Sequence, residues 1–296
     1  MSEAIIDLLE QWWQNNGNLE AKQAQQKYAS DGFPLGKIES KIFNNLIESF
    51  IYSQRGQKIN SAKIIQINDI HIPFQDKLSV NLLYKFLADF LPNQIVIAGD
   101  MLDFYELSSF DKDPKRKFCI QDEIDQCYEF LKELKQYCDE IHFIKGNHED
   151  RLRRFLWKNP SLASIKVLEL PKLLNLDSLG IFYHDFEYIY NNFRFTHGTI
   201  VRQESGATAK AELLKYGTSM ASGHTHRLGM YLKTDNRGTV AAYEGGCLCD
   251  LRPEYVSGVP NWTQGFIVYN FIGNRFFAQP IPIIDHKFIY GNKKYE

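Results

Sequence analysis

A chain of 296 residues, 44% hydrophobic and 24% charged, has room for one large domain and a small appendage. Its formal net charge of −2 excludes a globally basic protein held to nucleic acid or to an acidic membrane, though local patches stay open. Five cysteines, an odd number with no Cys-x-x-Cys pair, exclude a disulfide framework and a zinc ribbon and point to reduced thiols in a cytoplasmic protein.

The opening stretch "MSEAIIDLLEQWWQNN" carries acids and two tryptophans where a secretion signal needs basic residues and then a long apolar run. No run reaches the length of a membrane-spanning helix, so no membrane partner is expected. Residues 1–60 read as a small helical segment, with helical apolar spacing in "EAIIDLLEQWW" and "KIESKIFNNLIESFIYSQ" and breaks at "NNGN" and "DGFPLG". A degenerate helix-turn-helix is one reading of it. Six Lys/Arg against seven Asp/Glu give that reading no basic footprint, which favours a packing or oligomerisation element.

From residue 61 the pattern changes, and residues 61–296 are expected to form the second, larger domain. "KIIQIND" (63–69), "QIVIAGD" (94–100) and "EIHFIKGN" (140–147) are apolar runs closed by polar clusters, as buried parallel strands are. The first two flank "LSVNLLYKFLADFL", and the last two flank "QDEIDQCYEFLKELKQYC", where Ile124, Cys127, Tyr128, Leu131, Leu134 and Cys138 fall at helical spacing. This is βαβ alternation and implies an α/β fold with a sheet core and outer helices. Further on, "FRFTHG", "SMASGHTH", "TVAAYEGG" and "GFIVYNFIG" are strand-like and suggest a second sheet packed on the first.

The polar clusters sit where the apolar runs stop, and α/β proteins place ligands beyond the carboxyl ends of strands. "NDIH" supplies Asp69 and His71, two apart, which in extended chain would face the same way. "GDMLD" supplies Asp100 and Asp103, "GNH" supplies Asn147 and His148, "THG" supplies His197, and "GHTH" supplies His224 and His226. Imidazole and carboxylate together suit Mn, Fe, Co, Ni or Zn rather than the all-oxygen shells of calcium and magnesium. More than four such ligands imply two ions.

The ordered set Asp-x-His, Gly-Asp-x-x-Asp, Gly-Asn-His-Glu, His and Gly-His-x-His, from about Asn68 to Arg227, resembles the calcineurin-like metallophosphoesterase family. The wording "GDMLDFYELSSF", "GNHEDRLRRFLW" and "GHTHRLG" is similar to its phage and mobile-element members. The resemblance implies an αββα sandwich, two packed mixed sheets flanked by helices. It also implies one metal on Asp69, His71, Asp100 and His226, and another on Asp100, Asn147, His197 and His224. His148 would be the general acid, oriented by Asp103, for attack by a metal-bridging hydroxide on a phosphodiester or small phosphomonoester. Mn²⁺ is the expected cofactor, with Fe, Zn, Ni or Co as alternatives. Protein Ser/Thr phosphatases of the superfamily carry Arg after the second Asp, where this chain has Phe104, and that departure argues against their activity.

Arg151, Arg202 and Arg227 follow the motifs closely, and an arginine fork suits phosphate. The clusters "KDPKRK" (112–117) and "RLRR" (151–154) read first as solvated surface. They also keep a nucleic-acid partner and a DNA or RNA nuclease open as the alternative function, with Arg151, Arg154 or Lys115 on the backbone phosphates. A further alternative is a nucleic-acid- or partner-binding protein with a vestigial metal site. His142, His184 and His286 lie outside the motifs and read as structural or solvated, and Glu149 as a brace for its turn.

Overall fold

The computed structural model describes residues 61–109, 119–236, 238–253, 258–273 and 275–296. The helical segment read over residues 1–60 and the basic cluster at 112–117 lie outside the described residues.

Three apolar runs form parallel neighbours: β1 (Ser61–Ile67), β2 (Gln94–Ile97) and β3 (Glu140–Ile144). They alternate between two cores with the period of two that a pleated strand imposes. Ile65, Ile67, Ile95, Ile97, Ile141 and Phe143 face a helical layer, while Ile64, Val96 and Ile144 face a second sheet. Burial on both faces is why these strands read as continuous apolar runs.

Helix α1 (Lys77–Phe90) links β1 to β2, and its N-cap Asp76 accepts from the Ser79 N–H. Helix α2 (Ile120–Leu134) precedes β3, and α3 (Glu149–Lys158) follows it directly. Leu83, Phe86, Cys127, Leu131 and Leu134 cover the outer face of the sheet. Of the apolar positions read from the sequence of α2, Tyr128 is only half-buried, and Cys138 is buried beyond the helix end.

The chain then adds β4 (Ile181–His184) parallel to β3 and builds the second sheet from β5 (Glu187–Tyr190), β6 (Phe193–Thr196), β7 (Met220–Ser222), β8 (Leu228–Asp235) and β9 (Gly238–Gly245). This sheet is mixed, in the order β5-β6-β7-β9-β8, with β6, β7 and β9 parallel. Helix α4 (Ala207–Tyr216) covers its outer face through Ala209 and Leu213. Between the sheets lie Phe193, Phe195, Tyr243, Ile267, Tyr269 and Phe271. The layers are helix, sheet, sheet, helix.

One strand-like run goes elsewhere than the sequence suggests. "GFIVYNFIG" becomes β10 (Gly265–Ile272), which crosses back with β11 (Arg275–Pro282) to complete a first sheet ordered β11-β10-β1-β2-β3-β4. A final hairpin, β12 (Phe288–Tyr290) and β13 (Lys293–Tyr295), stacks Phe288 and Tyr295 edge-on against Phe86 of α1. Among the described residues no helix is long and apolar enough to cross a membrane.

Candidate metal centre

The strands stop at Ile67, Ile97 and Ile144, before the polar clusters. Asp69 (φ 52°), His71 (φ 51°) and Asp100 (φ 49°) adopt the left-handed conformation, uncommon for residues with a side chain. Asp69 and His71 therefore share a direction because the chain curls, not because it stays extended as their spacing suggests. The curl is fixed by backbone pairing, with Asp69 N–H donating to Gly99 O and the Ile70 and His71 N–H groups to Asp100 O at 2.9–3.1 Å. A Cβ on Gly146 would collide with the Asp100 carboxylate, so only glycine admits the close approach of these two loops.

Glu149 joins the same loops. Its buried carboxylate accepts from the N–H groups of Asp100, Met101, Leu102 and Gly146 at 2.8–3.0 Å. Burial and the Asp100 charge push the Glu149 carboxyl up, and the N–H donors pull against them.

Two adjacent donor sets result. In the first, His226 Nε2 lies 3.0 Å from His71 Nε2 and 3.3 Å from Asp69 Oδ1. His71 Nε2 is 3.9 Å from both Asp69 Oδ1 and Asp100 Oδ2, so this imidazole stands between the two carboxylates. In the second, His197 Nε2 lies 3.3 Å from Asp100 Oδ2 and 2.8 Å from Asn147 Oδ1, with His224 within reach of the same point. His197 Nδ1 donates to the Ala98 carbonyl at 2.8 Å, which turns Nε2 towards the cluster. The sets are fastened to one another where the His224 N–H donates to Asp69 at 2.9 Å and the His148 N–H to Asp100 at 2.8 Å.

Protonation follows from burial against charge. Burial alone would lower His197 and His226, but Asp100 beside the first and Asp69 beside the second lift each to about 10. Burial pushes the Asp100 carboxyl up, and the His197 and His148 charges outweigh it, holding it well below the usual carboxylate range. Burial and neighbouring imidazoles lower His71 and His224.

This donor chemistry fits divalent transition metals. Two buried imidazole nitrogens facing each other at 3.0 Å can share one proton at most, and His71 Nδ1 has no hydrogen-bond partner. Nitrogen and carboxylate oxygen in mixed sets suit Mn, Fe, Co, Ni and Zn.

His148 borders the cluster. Its Nδ1 lies 2.8 Å from Asp103 Oδ1, and its Nε2 lies 3.1 Å from Arg151 Nη2 and 3.8 Å from Asp100 Oδ2. Burial lowers the imidazole, yet Asp100 and Asp103 raise it further than that, so its net shift is upward. Arg151 is anchored by donation to the Asp103 carbonyl at 2.8 Å.

The other two arginines differ in their surroundings. Arg202 is exposed, and its guanidinium donates to the Val201 carbonyl. Arg227 is half-buried, and its Nε lacks a hydrogen-bond partner. His142 stacks on Tyr188 at 3.7 Å and contacts His184, while His286 meets Asp76 at 3.2 Å.

Three further groups support the site. Asn68 Nδ2 donates to Asp69 Oδ2 and to the Gly246 carbonyl, both at 2.6 Å. Cys249 Sγ sits 3.8 Å from His226 Nδ1, and all five cysteines are free. Glu123 of α2 is buried and accepts from Phe104 N–H at 2.6 Å, and burial pushes its carboxyl up to about 8. Its sequence signal is an acid one position before Ile124 and four before Cys127, on the apolar stripe of α2.

The model of the calcineurin-like phosphoesterase family matches residues 62–228. The Gene 54 protein of Mycobacterium phage L5 is 28% identical over 80% of this chain and 99% of its own length. The Gene 54 protein of Mycobacterium phage D29 is 29% identical over 77% and 96%. Among solved structures, Vacuolar Protein Sorting 29 from Cryptosporidium parvum aligns with a TM-score of 0.44 at 14% identity, covering 79% of this chain and 98% of that one.

Proposed function

From the premise that this chain belongs to the calcineurin-like phosphoesterase family, we propose that it is a divalent-metal-dependent hydrolase of a phosphodiester or small phosphomonoester. The observation that carries the reading is His71 Nε2 poised 3.9 Å from both Asp69 and Asp100, where two donor sets meet. Residues 61–296 would be the phosphoesterase domain and residues 1–60 a helical appendage.

Asp69, His71, Asp100 and His226 would hold one ion, and Asp100, Asn147, His197 and His224 the other, with Asp100 common to both. Bound there, such ions supply Lewis acidity that lowers the pKa of water and neutralises phosphoryl oxygens during in-line displacement. Mn²⁺ is the ion we assign, and Fe, Zn, Ni and Co are the alternatives that the same donors accept. The asparagine adds an oxygen donor without adding negative charge, which leaves the cluster more positive for an anionic substrate.

The chain's own acid is His148. Asp103 accepts its Nδ1–H and fixes the ring, and the net upward pKa shift favours protonation. With Arg151 drawn from Nε2 onto a phosphoryl oxygen, Nε2 would carry the proton that passes to the leaving oxygen as the P–O bond breaks. Arg151, beside His148 Nε2, is the arginine we assign to a phosphoryl oxygen; Arg202 and Arg227 are given no such role. Asp103 acts through His148 and is a positioning residue.

Hydrolysis of bis-p-nitrophenyl phosphate and p-nitrophenyl phosphate with Mn²⁺, against chelator, tests the reading. The expected result is metal-dependent release of p-nitrophenol that is lost in Asp100→Asn. Equal rates in chelator, or in Asp100→Asn, refute it.

A further inference from the structure

The motif that opens α3 continues into a helix whose surface beyond Arg151 the proposed chemistry does not use. Asn147, Arg151, Arg154, Phe155 and Lys158 fall four, three, one and three residues apart, a helical stripe that starts at the metal centre and runs away from it. With Trp157 they line a cleft of about 630 Å³. None of its described lining residues is acidic.

Cations and exposed aromatics interleave along this wall. Trp157 is 64% exposed and Phe155 39% exposed, on a helix whose other large apolar groups are more buried. Arg153 covers one face of the Trp157 indole at 4.3 Å and is held there by Asp150, which its Nε meets at 2.6 Å. Asp150 also takes the Arg154 Nε at 2.9 Å, so its charge is spent on fixing the helix's arginines. From Arg151 to Lys158 the stripe extends roughly 10 Å at about 1.5 Å per residue, the length of a short run of nucleotides.

We propose that the α3 cleft is a binding track for single-stranded nucleic acid, leading a phosphodiester to the metal centre. This rests on the phosphoesterase reading for the direction of the track, though not for the binding itself. Arg151, Arg154 and Lys158 meet successive phosphates, and Trp157 and Phe155 stack on unpaired bases, which present their flat faces whatever their identity. A duplex keeps its bases stacked and offers the indole nothing to lie on. A lone phosphorylated side chain needs one cation site rather than a cationic stripe with aromatic platforms.

The test is fluorescence anisotropy of the full chain with a labelled oligothymidylate and its RNA counterpart, in EDTA so that turnover plays no part. Trp157→Ala should weaken binding about tenfold, within the range of one lost base stack, while Trp157→Phe retains most of it. Lys158→Gln should weaken binding and flatten the log–log salt slope by about 0.7, the share of one phosphate contact on a single strand. Thermal melting checks that the variants fold. Variants that bind as the wild type does, or tighter binding of the matching duplex or of a phosphopeptide, would overturn the track. Wild-type hydrolysis of bis-p-nitrophenyl phosphate reads the phosphoesterase reading separately. Hydrolysis without oligonucleotide binding removes the track alone, and binding without hydrolysis of either substrate removes the enzyme alone.

Discussion

Loading the metal centre should expel protons in a number set by two histidines. In the metal-free chain His197 and His226 are raised to about 10, whereas His71 and His224 are lowered and are already neutral at pH 7. Each proposed ion has one raised histidine among its ligands, so each should displace about one proton at pH 7 from the imidazoles. Neutralising a histidine three units below its pKa costs about 4 kcal/mol at about 1.36 kcal/mol per unit. Affinity for each ion should therefore rise about tenfold per pH unit between pH 7 and the raised value, a log–log slope near one. Calorimetric titration with Mn²⁺ in buffers of different ionisation enthalpy counts the protons, and His197→Asn should release about one fewer. The linked stability has the matching sign. The imidazolium–carboxylate pairs stabilise the metal-free fold fully below the ordinary histidine value of 6.5, and that stability is lost as pH rises through about 10. An Mn²⁺ affinity that is flat from pH 7 to 9, with no buffer-dependent heat, would refute the reasoning.

Replacing His148 by Ala should leave metal stoichiometry intact in a calorimetric titration and lower turnover by about 10²–10⁴-fold, the usual worth of general acid help. Glu123→Gln should stabilise the fold near pH 8 by about 1–3 kcal/mol in urea unfolding, because burial holds that carboxyl protonated up to about 8 in the folded chain. Its sign follows from linkage: the folded state keeps a proton that the unfolded state gives up above the ordinary value of 4.5, so stability falls with rising pH across that window. At pH 4 the same variant should gain little. Phe86→Ala should cost about 3–5 kcal/mol by the same measurement, since this fully buried ring sits under Phe266, Phe288 and Tyr295 together.

The sequence is most legible where one local pattern decides the structure. β1, β2 and β3 are visible because a strand buried on both faces must be apolar throughout, and each is followed at once by the polar residues it delivers. The strand β8 is not visible: "LGMYLKTD" alternates half-buried with exposed positions and carries a lysine and an aspartate. Nor does the run that forms β10 disclose its partners, since pairing with β1 joins residues some 200 positions apart in sequence, and local spacing holds no trace of it. The candidate ligands are legible in five short motifs, whereas the backbone that carries them is not. Nothing in "NDIH" announces left-handed Asp69 and His71, which depend on the loop after β2 lying alongside. Glu123 does not stand out in the sequence because acids on helices are ordinarily exposed, and only its phase against Ile124 and Cys127 marks it as buried.

Glu149 supplies no donor to the metal cluster, yet it sets the cluster's stiffness. One carboxylate caps four amides from two strand ends, so the loop bearing Asp100 and the loop bearing Asn147 cannot drift apart independently. An amide in its place would turn one acceptor into a donor against two of those N–H groups. The spacing of Asp100 and Asn147 within the second donor set is thus a property of the strand spacing beneath them, transmitted through the Glu149 carboxylate and the His148 N–H on Asp100. With Glu149 in place, Asp100 and Asn147 would meet any ion at a spacing set beforehand by the fold.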